Sequence, residues 1–134
     1  MILRFAMAAF LVLHAAIHLS FFMPQWFTAI KTGLPFNMND SWILATAGLE
    51  PGLWEIIGTV LVGVTIAGLV VGAAGLIHLV PVSIGLPALT IGAVASLVTI
   101  ALFFNTWLFV GGIADAAILA GVAIMRWLPE AMET

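Results

Sequence analysis

The chain contains no cysteine and no tyrosine, and only 7% of its 134 residues are charged. Without cysteine there is no disulfide framework, no thiolate metal site and no cysteine nucleophile. Without tyrosine, the five tryptophans are left to mark any membrane–water interface. The scarcity of charge excludes more. A soluble domain carries about 25% charged residues, and this chain cannot clothe a solvated surface. Three Lys and Arg in total give no basic footprint for nucleic acid. With 64% hydrophobic residues the chain also lacks the low hydropathy and high charge of a disordered one. An integral membrane protein remains, with the lipid bilayer as its first partner. The formal charge of −3 is too small to point to others.

What is present are long apolar runs. Spanning about 30 Å of hydrocarbon takes about 20 apolar residues. The first such run covers about 5–23 and ends at Pro24. Arg4 followed by an apolar run is also the start of a signal peptide, but no small-x-small cleavage site precedes a polar region, so a retained first helix is expected. The second covers about 52–80 and carries Gly58, Gly63, Gly68, Gly72 and Gly75. In lipid, small residues at this spacing let a second helix approach closely. Pro81 and Pro87 bracket the next connection. The third run covers about 86–104, and the fourth about 110–128, ending at Pro129. Only helices and closed barrels satisfy their backbone in lipid, and runs this continuous are not the alternating strands of a barrel. The expected fold is all-α, a four-helix transmembrane bundle forming one domain over 1–134.

Residues 24–51 form the only polar stretch, expected as a surface loop with a short interfacial helix near 41–48 capped by Ser41 or Asp40. Arg4 and Arg126 lie on one side of such a bundle and Lys31 on the other, which places both termini in the cytoplasm and the protein in the cell membrane. Trp26, Trp42, Trp54 and Trp107 then form an outer aromatic belt, with Trp127 as an inner anchor.

Ionisable groups inside a membrane are costly and demand an account. His14 and His18 are four apart and share one helix face. The topology sets His18, Glu55 and Asp115 at a common depth on three different helices, with His14 a turn beneath. The third run adds Ser96 and Thr99. The expectation is that His18 hydrogen-bonds a carboxylate, directly or through a water or ligand, with His14 extending the network. Read blandly, this is a structural lock. Read sharply, His14, His18, Glu55 and Asp115 bind a cofactor, haem b or a quinone. Zinc has suitable ligand types here, but the His-Ala-Ala-Ile-His stretch lacks the glutamate of the zinc-protease motif, and no metal site is assigned. No catalytic residue is assigned either. His78 falls at the end of the second run, where a cation suits a helix C-terminus.

The stretches Leu-His-Ala-Ala-Ile-His at 13–18, Pro-Gly-Leu-Trp at 51–54, Ala-Ser-Leu-Val-Thr-Ile at 95–100 and Gly-Gly-Ile-Ala-Asp-Ala-Ala-Ile-Leu at 111–119 together resemble a group of small, uncharacterised bacterial four-helix membrane proteins. That group carries His-Gly-x-x-His in its first helix, Gly-x-Leu-Trp opening the second, and Gly-x-Ile-Ala-Asn opening the fourth. The chain departs from it at Ala15, at Asp115 and in the apolar 107–109 stretch. A more distant resemblance to DoxX-like proteins implies an accessory role in membrane redox systems.

Three functions are therefore expected in order. The first is a non-enzymatic accessory or scaffold subunit of a larger membrane complex, since nearly every residue serves spanning and packing. The second is a binding module for haem b or quinone in a membrane redox system. The third is a small membrane enzyme acting on a lipid, with the carboxylates as acid and base.

Overall fold

The computed structural model describes residues 2–22, 38, 41–104 and 106–123. Among these the regular structure is entirely helical. Helix α1 (Ile2–His18) tightens into a 3-10 turn over Leu19–Phe22. A short α2 (Trp42–Thr46) precedes the long α3 (Pro51–Leu76) and α4 (Val82–Leu102). A 3-10 turn over Thr106–Leu108 leads into α5 (Phe109–Ala123). Three segments, Ile2–Phe22, Pro51–Leu76 and Val82–Leu102, are long and apolar enough to cross a membrane. The 15 residues of α5 are equally apolar. The rest of the fourth expected span, most of the 24–51 loop, and Lys31, Arg126, Trp26 and Trp127 lie outside the described residues.

The short helix forms where capping chemistry predicts it. Ser41 Oγ accepts from Leu44 N at 3.3 Å, the N-cap bond of α2, and also donates to Leu102 O at 2.6 Å. Trp42 Nε1 donates to Ala101 O at 2.9 Å. Two of the otherwise unpaired carbonyls at the end of α4 are thereby satisfied. Trp54, expected at the lipid interface, is instead buried, its Nε1 donating to Leu49 O at 2.8 Å.

Two span limits differ from the hydropathy pattern. α3 stops at Leu76 although Ile77, Leu79 and Val80 are apolar. The chain closes it with His78 N to Gly75 O at 3.1 Å and Leu79 N to Ala74 O at 2.9 Å, the two bonds that end a helix through a left-handed residue. That residue is His78, at φ 60°. The same pair of bonds ends α2, where Gly48 takes the left-handed place at φ 72°. Pro87, expected to bound the connection, lies inside α4. It removes only the N–H that would bond residue 83, and helices in apolar surroundings tolerate such a loss. His78 Nε2 accepts from Arg4 Nη1, so Arg4 is the cation at that end of α3. Glycine at 78 relieves the left-handed strain of roughly 1–2 kcal/mol and removes only an exposed contact. His78→Gly should raise the detergent unfolding temperature, and His78→Val should lower it.

The helices pack in the order α1 on α3, α3 on α4 and α4 on α5, with α3–α4 the most extensive pairing. Glycine explains that pairing. A Cβ on Gly68 would stand 2.6 Å from Gly92 Cα, and one on Gly85 2.9 Å from Gly75 Cα. The Gly68 and Gly72 face, expected to meet another helix, meets α4 of the same chain. α1 and α5 make no comparably close pairing.

The apolar core has two layers. One comprises Ala8, Leu11, Ala15, Leu69, Ala73, Leu76, Leu89, Ala93 and Ile118. The other comprises Phe21, Met38, Leu44, Trp54, Val62, Ile100, Phe103 and Leu108. The buried polar residues His18, Thr65, Ser96 with Thr99, and Asp115 fall between them in sequence, and His14 lies one residue before Ala15 of the first layer. Outward faces stay apolar, with Leu13, Ile56, Ile91 and Ile113 exposed, as in a helix surrounded by lipid.

Candidate functional site

Four residues of the polar layer, His14, His18, Ser96 and Asp115, form one connected network. His14 Nε2 donates to Asp115 Oδ1 at 2.8 Å, bridging the α1–α5 seam. Ser96 Oγ donates to Asp115 Oδ2. His18 Nε2 meets Ser96 Oγ at 2.8 Å, and His18 Nδ1 donates to His14 O at 3.0 Å. Relative exposure is 5% for His14, 4% for His18 and zero for Ser96 and Asp115, so the bonds are shielded from competing water and strengthened by it. The imidazoles continue an aromatic row on α1. Phe10 stacks on His14 at 5.9 Å, His14 meets His18 edge-on at 5.1 Å, and His18 stacks on Phe21 at 6.2 Å.

Three of the four residues expected at the site are therefore together. The expected pairing is exchanged: His14 holds the carboxylate directly, while His18 reaches it through Ser96. Glu55 does not join them. It is exposed on α3, whose buried face runs through Trp54, Gly58, Val62 and Thr65. A carboxylate pair for acid–base work on a lipid is not assembled, since only Asp115 is in the network. Ser96 is the member that sequence reasoning noted without enlisting. Its signal was a hydroxyl in an apolar run, with Thr99 close by, at the level of the two histidines.

Thr65 lies in the same layer, fully buried, and its Oγ1 has no hydrogen-bond partner among the described residues. Thr99 Oγ1 donates to Ala95 O at 2.8 Å, a local bond within α4. Among the described residues no group of three or more His, Asp or Glu stands close enough to hold a metal ion.

Beside the network, in the α1–α5 seam, lies a cavity of about 210 Å³. Its walls are apolar except for His14 and His18, and it includes Phe10, Ile17, Ile100, Leu108, Val110 and Gly111. Phe10, Ile17 and Val110 are also exposed, so the cavity reaches the outer face of the bundle between α1 and α5. Gly111 keeps it open: a Cβ there would lie 3.4 Å from Ile100 Cδ1 and 3.9 Å from His14 Cε1. No known protein family, curated protein or solved structure matches the chain.

Proposed function

We propose that this protein is a four-span integral membrane protein, both termini cytoplasmic, that binds a lipophilic ring compound of the quinone class as part of a membrane redox system. One observation carries the reading: an apolar cavity whose only polar side chains are those of two network histidines, opening where acyl chains would lie. An apolar cavity of about 150 Å³ holds benzene, and drug-sized ligands take about 300–1,000 Å³. At about 210 Å³ the cavity suits one substituted ring, with its tail leaving between α1 and α5. Haem b fits poorly. The space is too small for a porphyrin, and His14 Nε2 and both nitrogens of His18 are already engaged. The accessory or scaffold reading has the apolar outer faces behind it, but those serve lipid and partner subunits alike.

The test is thermal unfolding of the purified protein in nanodiscs with a short-chain benzoquinone and its reduced form. Ligand at a hundred times its Kd should stabilise by about 2.7 kcal/mol. Gly111→Leu, whose Cβ meets only ordinary contacts, should fold, fill the cavity and abolish the shift. No shift in the wild type with either form defeats the reading.

A further inference from the structure

The hydrogens of the network can be counted, and the count says what the cavity offers a ligand. The carbonyl of His14 only accepts, so His18 Nδ1 carries a hydrogen. The single hydroxyl hydrogen of Ser96 goes to Asp115, so the bond between His18 Nε2 and Ser96 Oγ needs a hydrogen on Nε2 as well. His18 then carries both, and its charge balances the Asp115 carboxylate. The same hydrogens admit one other complete arrangement. Asp115 holds a hydrogen toward Ser96, Ser96 donates to His18 Nε2, and both ends are neutral. Each arrangement satisfies every bond with no net charge, which an apolar interior demands. In each, His14 Nε2 is the atom that donates to Asp115.

Nδ1 of His14 is therefore a bare lone pair. Among the described residues it has no hydrogen-bond partner, and buried Thr65 Oγ1 is the sole side-chain atom both enclosed and unbonded. Hence Nδ1 borders open space, and the open space against His14 is the cavity. A hydrogen on Nδ1 means either that Nε2 accepts from Asp115 or that His14 is an imidazolium with both nitrogens protonated, and each case leaves a net positive charge or one of the bonds around His18 and Ser96 unmade. The side chains of the cavity wall thus present an acceptor and no donor.

We infer that the cavity selects the hydroxyl form of its ring, a quinol or phenol whose O–H is donated to His14 Nδ1, over the carbonyl form. This rests on the ring-binding reading above and adds its chemical polarity. A ring carbonyl meets lone pair against lone pair at Nδ1, and an ether meets the same with a methyl group added.

The experiment compares three probes on the wild-type protein in nanodiscs under anaerobic conditions: a decyl-benzoquinol, the matching quinone and the quinol dimethyl ether. Calorimetric titration should give the quinol at least tenfold tighter binding than either other probe. Independently, the imidazole ¹⁵N spectrum of the ligand-free protein should show His14 with Nε2 protonated and Nδ1 bare, and quinol but not ether should move the Nδ1 resonance. Equal affinity for all three probes, or tighter binding of the quinone, overturns the selectivity while leaving ring binding intact. A hydrogen found on Nδ1 without ligand overturns it whatever binds. Failure of all three probes to bind removes the ring-binding reading, and the selectivity falls with it. Gly111→Leu serves as the control that places the heat in the cavity.

Discussion

Replacing Gly68 by alanine should destabilise the bundle severely, and by leucine should prevent it from forming. A Cβ at this place would lie 2.5 Å from Ala88 O, 2.6 Å from Gly92 Cα and 2.8 Å from Gly92 N. All three atoms are backbone, so no side chain can turn aside and the helices must separate. Overpacking a core commonly costs 1–3 kcal/mol when side chains can adjust; here the expected loss is at or above about 3 kcal/mol for alanine. The effect should reach the polar layer. Ser96 lies one turn from Gly92 on α4, and its hydroxyl links His18 to Asp115, so moving α4 outward breaks both bonds. Gly63→Ala is the matched control. Nothing stands within 4 Å of its Cβ position, and alanine favours a helix over glycine by up to about 1 kcal/mol. Unfolding in detergent should separate the two variants clearly. Equal stability would mean that the α3–α4 crossing is wider than described.

The site was legible where a rule acts within one helix, and obscure where it depends on helix rotation. Spacing of four put His14 and His18 on one face, and the glycines of α3 announced a close neighbour. Ser41 announced a helix start because a hydroxyl before Trp42 satisfies an N–H that water would otherwise have to reach. Glu55 went wrong for a physical reason. α3 is apolar nearly all round, so its pattern says little about which side faces in. Depth alone then favoured Glu55, which the helix turns outward, and left the enclosed hydroxyl of Ser96 noted but outside the expected site. The end of α3 was obscured in a similar way. Hydropathy counts Ile77, Leu79 and Val80 as continuing the span, whereas the chain is turned by a backbone conformation at His78 that hydropathy does not register. Pro87 shows the converse: a residue read as a breaker sits in a helix because a single missing bond near its start is affordable.

Removing one member of the polar layer should harm the protein more than removing a bonded pair. His14→Leu leaves Asp115 Oδ1 buried and unbonded, since its 2.8 Å donor is gone and the residue has no exposure. Stranding a buried charge in this way costs about 3–5 kcal/mol. The double variant His14→Leu, Asp115→Leu removes the charge with its donor. Ser96 Oγ and His18 Nε2, 2.8 Å apart, then still satisfy one another, with the hydroxyl as donor. The double variant should therefore be more stable than His14→Leu alone, giving a coupling energy near the upper part of the 0.5–3 kcal/mol range for contacting residues. Asp115→Asn offers a sharper comparison. Its amide oxygen can accept from His14 Nε2 while its NH₂ donates to Ser96, which passes its own hydrogen to His18. That reproduces the neutral arrangement of the same network without any charge, so the loss should stay below about 1 kcal/mol. Asp115→Ala, with both acceptors gone, should lose several times more. These differences are read from reversible unfolding in detergent, with the wild type, both single variants and the double variant forming one cycle. Additive losses across that cycle, or an asparagine variant as damaged as the alanine one, would mean that the four side chains do not act as one network.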